Sequence, residues 1–195
     1  MRLDQGDMWT PPALSILTGT QIPLSFISLA RCSPSTFGTL RMFGSEILSI
    51  EASAVTNFTA NAHYAYRFTQ PSISVEHVSF CNVTITYTHP GTSDCTHVEI
   101  WLPEHEQWNE RLYSVGGGGF AAGRFFLSYT SMAGAIAEGY ATSSTDAGTG
   151  YAADPQDASS WVLLSPGNVD YNLVRNLGAT SLNEQVRFAS CQICS

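Results

Sequence analysis

Four consecutive glycines, Gly116–Gly119, follow directly on the short apolar stretch 111–115. Glycine loses more backbone freedom on folding than any other residue. A run of four is costly unless the backbone must turn sharply or let another group come close. The chain therefore leaves a strand at Val115 and enters a loop whose backbone, not its side chains, meets whatever lies opposite. Any fold for this sequence has to bring together a strand end, a bare-backbone loop and a partner for that loop.

The residues upstream supply neighbours for that strand. From Val75 to Thr88, Cys81, Val83, Ile85 and Tyr87 fall on one face, and Asn82, Thr84, Thr86 and Thr88 fall on the other. That period of two is the mark of a half-buried strand. Residues 89–94 read as a turn, and Cys95 to Leu102 as a second strand with Val98, Ile100 and Leu102 on one side. Together they make an antiparallel hairpin. Downstream, a helix is expected around 131–138, closed by Gly139 at a C-cap position, then a short strand over 140–145 that ends in Asp146-Ala147-Gly148. A last helix is expected from about Asn168 to Ala189, with Asn168 as N-cap and Val169, Leu173, Val174, Leu177, Leu182 and Val186 as its apolar stripe. A hairpin followed by alternating helix and strand implies a mixed α/β sheet.

Composition narrows what this fold can do. The chain has 195 residues, 44% hydrophobic and 12% charged, enough for one packed domain or a domain plus an extension. Polarity comes instead from hydroxyls, with 23 Ser and 18 Thr. There is no lysine, which excludes a Walker A loop, a Schiff-base lysine and a Ser-Lys dyad. A net charge of -8 without an arginine cluster argues against nucleic acid as a partner. No apolar run reaches the ~20 residues of a membrane span. Residues 1–30 read either as a signal peptide ending at Ser28-Leu29-Ala30 or as a disordered leader. Asn57-Phe58-Thr59 and Asn82-Val83-Thr84 are glycosylation sequons.

The cysteines are Cys32, Cys81, Cys95, Cys191 and Cys194, and the odd count leaves one thiol over in an exported chain. Cys191-x-x-Cys194 has no second Cys or His pair nearby, so it reads as neither a zinc site nor a redox motif. His63, His77, His89, His97 and His105 stand at unrelated spacings and read as surface or hydrogen-bonded groups rather than metal ligands.

Two uses justify the glycine run. Gly116-x-Gly118-x-x-Ala121 fits a degenerate dinucleotide-binding pattern, with Asp146 as a ribose ligand. The other use is an oxyanion loop, in which backbone N–H groups face a developing negative charge. A hairpin leading into the glycine-bearing strand suits the second use better, because a dinucleotide domain normally opens with that strand.

The order of several segments then carries a resemblance. They are Cys32-Ser33-Pro34-Ser35-Thr36-Phe37, the stretch from Phe80 to Gly91, Trp101-Leu102-Pro103, and Trp108-Asn109-Glu110-Arg111-Leu112 leading to the glycines and Phe120. Tyr140 to Gly148 and Asp157-Ala158-Ser159-Ser160-Trp161 follow. From Cys32 to about Ala189 the chain resembles the tannase and feruloyl esterase family of secreted carboxylic ester hydrolases. The resemblance implies an α/β-hydrolase core acting on small aromatic esters, a Ser-Asp-His triad, a lid that usually carries calcium, and a Gly116–Gly119 loop that donates to the oxyanion. It also pairs Cys32 with Cys81 in a disulfide and leaves Cys95, Cys191 and Cys194 without a family partner.

The departures set the expectation for this chain. It contains no G-x-S-x-G elbow and no Cys-His pair of the family type, and Thr149 stands where the family often has His. Cys194-Ser195 has the Cys-Ser order of the family's elbow, but no glycine pair follows it, so Ser195 does not read as the nucleophile. The nucleophile, Asp and His of the triad are expected beyond Ser195. Residues 31–195 are therefore expected to be the amino-terminal portion of an α/β-hydrolase domain, an incomplete domain that lacks nucleophile and lid. No catalytic residue, metal or cofactor is expected within it, and the chain alone should be inert. A non-enzymatic secreted glycoprotein that reuses the half-domain as a binding module ranks second, and a dinucleotide-binding domain third.

Overall fold

The computed structural model describes residues 28–38, 40–67, 70–151 and 154–193. Most of the leader, Cys194 and Ser195 lie outside them. The strands are β1 (Glu46–Ala62), β2 (Ile73–Thr88), β3 (Thr96–Pro103), β4 (Leu112–Val115), β5 (Ala141–Thr145), β6 (Leu163–Ser165) and β7 (Asn168–Val169). The helices are α1 (Phe126–Ala137), α2 (Tyr171–Arg175) and α3 (Ser181–Ile193), with a π-helical turn, Asn176–Thr180, joining the last two.

The main sheet has the order β1-β2-β3-β5-β4, and β6 and β7 form a separate hairpin. β1, β2, β3 and β5 run antiparallel in turn, while β4 and β5 are parallel, connected through α1. The expected hairpin is there: Val83 stands opposite Ile100 and Ile85 opposite Val98. Alternation sends the two faces of these strands into two cores. Cys81, Val83, Ile85, Tyr87, Val98, Ile100 and Leu102 meet Phe188 and Ala189 of α3. On the opposite face, Phe80 and Trp101 meet Met132, Ala133 and Ile136 of α1. The sheet is thus sandwiched between α1 and α3, the layering expected of an α/β domain.

The carboxyl-terminal helix corrects the sequence reading. Asn168 and Val169 are a strand, and the N-cap is Asp170, whose side chain accepts from the N–H groups of Asn172 and Leu173. The expected apolar stripe does not face the sheet: Val174, Leu182 and Val186 are exposed, while Glu184, Gln185, Phe188, Ala189 and Gln192 are buried. Polar groups on that face have strand carbonyls and a histidine to bond, and these bonds orient α3 against the period of its apolar residues. α1 begins at Phe126, five residues earlier than expected, and ends as expected before Gly139, which takes φ 81°.

Candidate functional site

β4 and β5 are parallel, so their carboxyl ends lie on the same side of the sheet. In open α/β sheets that is where ligands bind. β4 runs out at Val115 into Gly116–Gly119, all exposed. The loop is held by a reciprocal pair: Gly118 N–H donates to Ala121 O at 3.0 Å and Ala121 N–H to Gly118 O at 3.1 Å. Phe120 N–H donates to Pro155 O at 2.7 Å. Two glycines are required by close approach. A Cβ on Gly117 would lie 1.9 Å from Ala121 O, and one on Gly119, whose φ is 59°, would lie 2.2 Å from Pro155 O. Among the described residues, no acceptor takes the N–H of Gly117 or Gly119. The loop therefore presents bare backbone donors to solvent at a strand end.

Behind the loop, Gly123 presses on β5, where a Cβ would lie 2.3 Å from Ser144 Oγ and 2.6 Å from Thr145 O. Arg124 follows with φ 51° and donates its N–H to Ser144 Oγ at 3.0 Å. Its guanidinium reaches Glu99 Oε2 at 3.2 Å and Asp146 Oδ2 at 3.4 Å. Glu99 is buried and accepts four donors: Asn82 Nδ2 (3.2 Å) and Trp101 Nε1 (2.9 Å) on Oε1, Arg124 Nε and Tyr129 Oη (2.8 Å) on Oε2. Burial would lower the Arg124 pKa, but Glu99, Tyr129 and Asp146 together outweigh it and hold the guanidinium charged. Burial and the Glu99 carboxylate push the Tyr129 phenol up to about 12.

Asp146 closes this network against β3. Its Oδ1 accepts the N–H of His97 at 2.9 Å and of Gly148 at 3.0 Å, and its Oδ2 faces His97 Nδ1 at 2.7 Å. Burial would raise its pKa, but these bonds hold the carboxylate below its ordinary value. On the other side of the sheet, Gln185 of α3 donates to Ser143 O at 2.8 Å and Val115 O at 3.3 Å, tying the helix to the carbonyl just before the loop.

A second cluster sits where the β2–β3 turn meets α3. His89 Nδ1 faces Asp94 Oδ2 at 2.5 Å and its Nε2 faces Glu184 Oε1 at 2.9 Å. Tyr87 donates to Glu184 Oε2 at 2.8 Å, and Asn176 Nδ2 to Asp94 Oδ2 at 2.8 Å. Arg175 lines the same cleft. Both ring nitrogens can donate only in the imidazolium. Burial would lower the His89 pKa, but the bonds to Asp94 and Glu184 outweigh it and raise it. Burial likewise opposes, and bonds from Thr92 and His89 drive, the lowering of Asp94. The His89 contribution is therefore complete below about pH 6.5 and lost as pH rises through its higher folded value. The Asp94 contribution is complete above about pH 3.9 and lost only in strong acid. Thermal unfolding should show its highest Tm between those two values. Above neutrality, Tm should fall by about 2–4 °C, an effect of about 1 kcal/mol after solvent screening. His89→Gln should abolish that alkaline slope, and a slope unchanged in the variant would refute the assignment.

The other residues named from the sequence fall as follows. Cys32 and Cys81 are disulfide-bonded, 49 positions apart. Asn57 is exposed at an irregularity of β1 with φ 58°. Asn82 lies mid-strand in β2 with its amide nitrogen committed to Glu99, so a glycan there would displace that bond. Ser195, the residue beyond which the triad is expected, lies outside the described residues together with Cys194. The dinucleotide reading is corrected. No helix starts at the glycines, since α1 begins only at Phe126, and the Asp146 carboxylate is spent on His97, Gly148 and Arg124. Among the described residues, no three His, Cys, Asp or Glu side chains group as a metal site. No described helix is long and apolar enough to cross a membrane. The Glu99–Arg124–Tyr129 network was missed. The one available signal was the set His97, Glu99 and Trp101 on the face opposite Val98, Ile100 and Leu102.

Comparison with known proteins bears on the whole arrangement. Over 141 residues, 72% of this chain, it is 36% identical to a protein of Arthroderma benhamiae described as a probable feruloyl esterase. Over 108 residues, 55% of this chain, it is 32% identical to a tannase of Aspergillus oryzae. The chain spans 24% and 17% of the lengths of those two proteins. Among solved structures, a tannin acyl hydrolase from Aspergillus niger superposes with a TM-score of 0.70 at 27% identity, covering 85% of this chain and 29% of that one. An esterase from Aspergillus oryzae superposes with a TM-score of 0.52 at 15% identity, over 86% of this chain and 30% of that one, a likeness of fold. No family model matches the chain.

Proposed function

We propose, from the premise that this chain resembles the tannase and feruloyl esterase family in sequence and fold, that it supplies the oxyanion-stabilising part of a carboxylic ester hydrolase for small aromatic esters, such as feruloyl or galloyl esters. The observation that carries this reading is the pair of unpaired backbone N–H groups on Gly117 and Gly119, exposed at the carboxyl end of β4. Attack on an ester carbonyl places negative charge on its oxygen. Donors fixed in advance stabilise that charge without reorganising, each worth about 2.7–4 kcal/mol. Phe120, 46% exposed beside the donors, offers an aromatic face to an aromatic acyl group. The Cys32–Cys81 disulfide and the exposed sequon at Asn57 support an exported protein.

The loop stabilises charge but generates no nucleophile. The reaction needs a serine activated by a histidine, and this sequence holds no G-x-S-x-G elbow to present one. The purified 195-residue chain is therefore expected to hydrolyse neither a feruloyl ester nor a p-nitrophenyl ester above the buffer rate. Turnover that a serine-directed phosphonate abolishes would show instead a complete active site among the serines present, Ser195 included.

A further inference from the structure

On the same end of the sheet as the glycine loop, a nucleophile, an imidazole and a carboxylate stand in line. Cys95 is exposed and in no disulfide. Its Sγ lies 3.9 Å from His97 Nε2, and His97 Nδ1 lies 2.7 Å from Asp146 Oδ2. Cys95 immediately precedes β3 and His97 is its second residue, so with extended alternation both side chains fall on one face. Thr96 between them is buried on the other.

The carboxylate decides the tautomer of the ring. Asp146 receives the N–H groups of His97 and Gly148 on Oδ1, and Arg124 approaches Oδ2. A carboxylate so surrounded is ionised and only accepts. His97 Nδ1 must then carry the ring hydrogen toward it. In the neutral ring the lone pair is then on Nε2, facing sulfur, where it can accept the thiol hydrogen. This is the arrangement that activates a cysteine through an oriented base.

We propose that Cys95 is a thiol–disulfide exchange site, primed by His97 and Asp146 to attack small, low-molecular-weight disulfides. Acyl transfer is a poorer fit, because it needs a free N–H beside the nucleophile, and the N–H groups of His97 and Gly148 are spent on Asp146. Disulfide exchange needs only a line of approach to sulfur and a proton acceptor. Cys95 Sγ attacks one sulfur of the disulfide, the S–S bond breaks, and a new S–S bond forms to Cys95. The thiol proton passes to His97 Nε2 and from there to the departing thiolate, which leaves as a thiol. The leaving sulfur takes the bonding pair of the broken S–S bond and falls from the disulfide to the thiol level, while Cys95 sulfur rises from the thiol to the disulfide level, so no outside oxidant is needed. Cys32 and Cys81 are already bonded to each other, so neither resolves the mixed disulfide, which an external thiol reverses. The site does not depend on ester hydrolysis.

The test uses the folded chain and oxidised glutathione at pH 6.5, with the mixed disulfide at Cys95 followed by quenched peptide mapping. The reference is a synthetic peptide of residues 93–99, which holds the same thiol and imidazole without Asp146. Cys95 in the folded chain should react about tenfold faster than in the peptide, and His97→Asn should fall to the peptide rate. A folded chain no faster than the peptide, or a folded His97→Asn variant as fast as the native chain, would overturn the proposal. If His97→Asn does not fold, the ratio of native chain to peptide decides alone.

Discussion

Replacing Cys32 by Ser and Cys81 by Ala together should lower the unfolding free energy by about 4 kcal/mol and Tm by about 10 °C. The bond closes a loop across a sequence separation of 49, which removes that much entropy from the unfolded chain. It also acts on the native side. Cys81 sits in the core beside Val83 and Leu102, and Phe37 and Met42 enter the same core from the short segment that Cys32 anchors. Among the described strands, β1 lies at the sheet edge and pairs only with β2. Losing the link frees the segment before β1, so the variant should also show faster proteolysis there. Urea unfolding with an unchanged midpoint would show that packing alone holds the segment.

The second large effect should come from Glu99→Ala. Four donors converge on that carboxylate, and two of them, Trp101 Nε1 and Tyr129 Oη, belong to side chains of the core under α1. Removing one partner of a buried ion pair costs about 3–5 kcal/mol, because the remaining charge and donors stay buried without compensation. Arg124 keeps its approach to Asp146 at 3.4 Å, which places the expected loss at the lower end. Glu99→Gln keeps an acceptor for Asn82 and Trp101 but removes the charge beside Tyr129. In that variant the Tyr129 phenol, raised to about 12 in the native chain, should titrate closer to the ordinary tyrosine value of about 10 in an ultraviolet pH titration. A Glu99→Ala variant within about 1 kcal/mol of the native chain would show that the network is solvated and contributes little.

The elements legible in the sequence were those whose burial follows a simple period. β2 and β3 carry large apolar residues at every second position of one face, and their pairing through a short turn followed from that. β1 was not legible. Its residues are small and mostly exposed, and its register shifts between Ile47 and Ser49 and twice between Val55 and Ala60, which breaks the alternation. α3 misled for a different reason. Its apolar period points to Leu182 and Val186, but Glu184 and Gln185 find partners in Tyr87, His89, Val115 and Ser143, and satisfying buried polar groups decided the face. At the site, the glycine run announced a bare-backbone loop. The contact of Arg124 with Glu99 could not be read, because it joins residues 25 apart that only the sheet order brings together.

The most direct measurement is a chimera in which the matched 141-residue stretch of the Arthroderma benhamiae protein is replaced by its counterpart from this chain. A chimera with Gly118→Ala adds a methyl where nothing lies within 4 Å, whereas Gly117→Ala drives a Cβ to 1.9 Å from Ala121 O. If the loop stabilises the oxyanion, the chimera hydrolyses a feruloyl ester and Gly118→Ala keeps turnover within about tenfold. Gly117→Ala then loses about 10²–10³ in kcat while the protein remains folded by circular dichroism. Full turnover in a folded Gly117→Ala chimera would contradict the assignment of this loop.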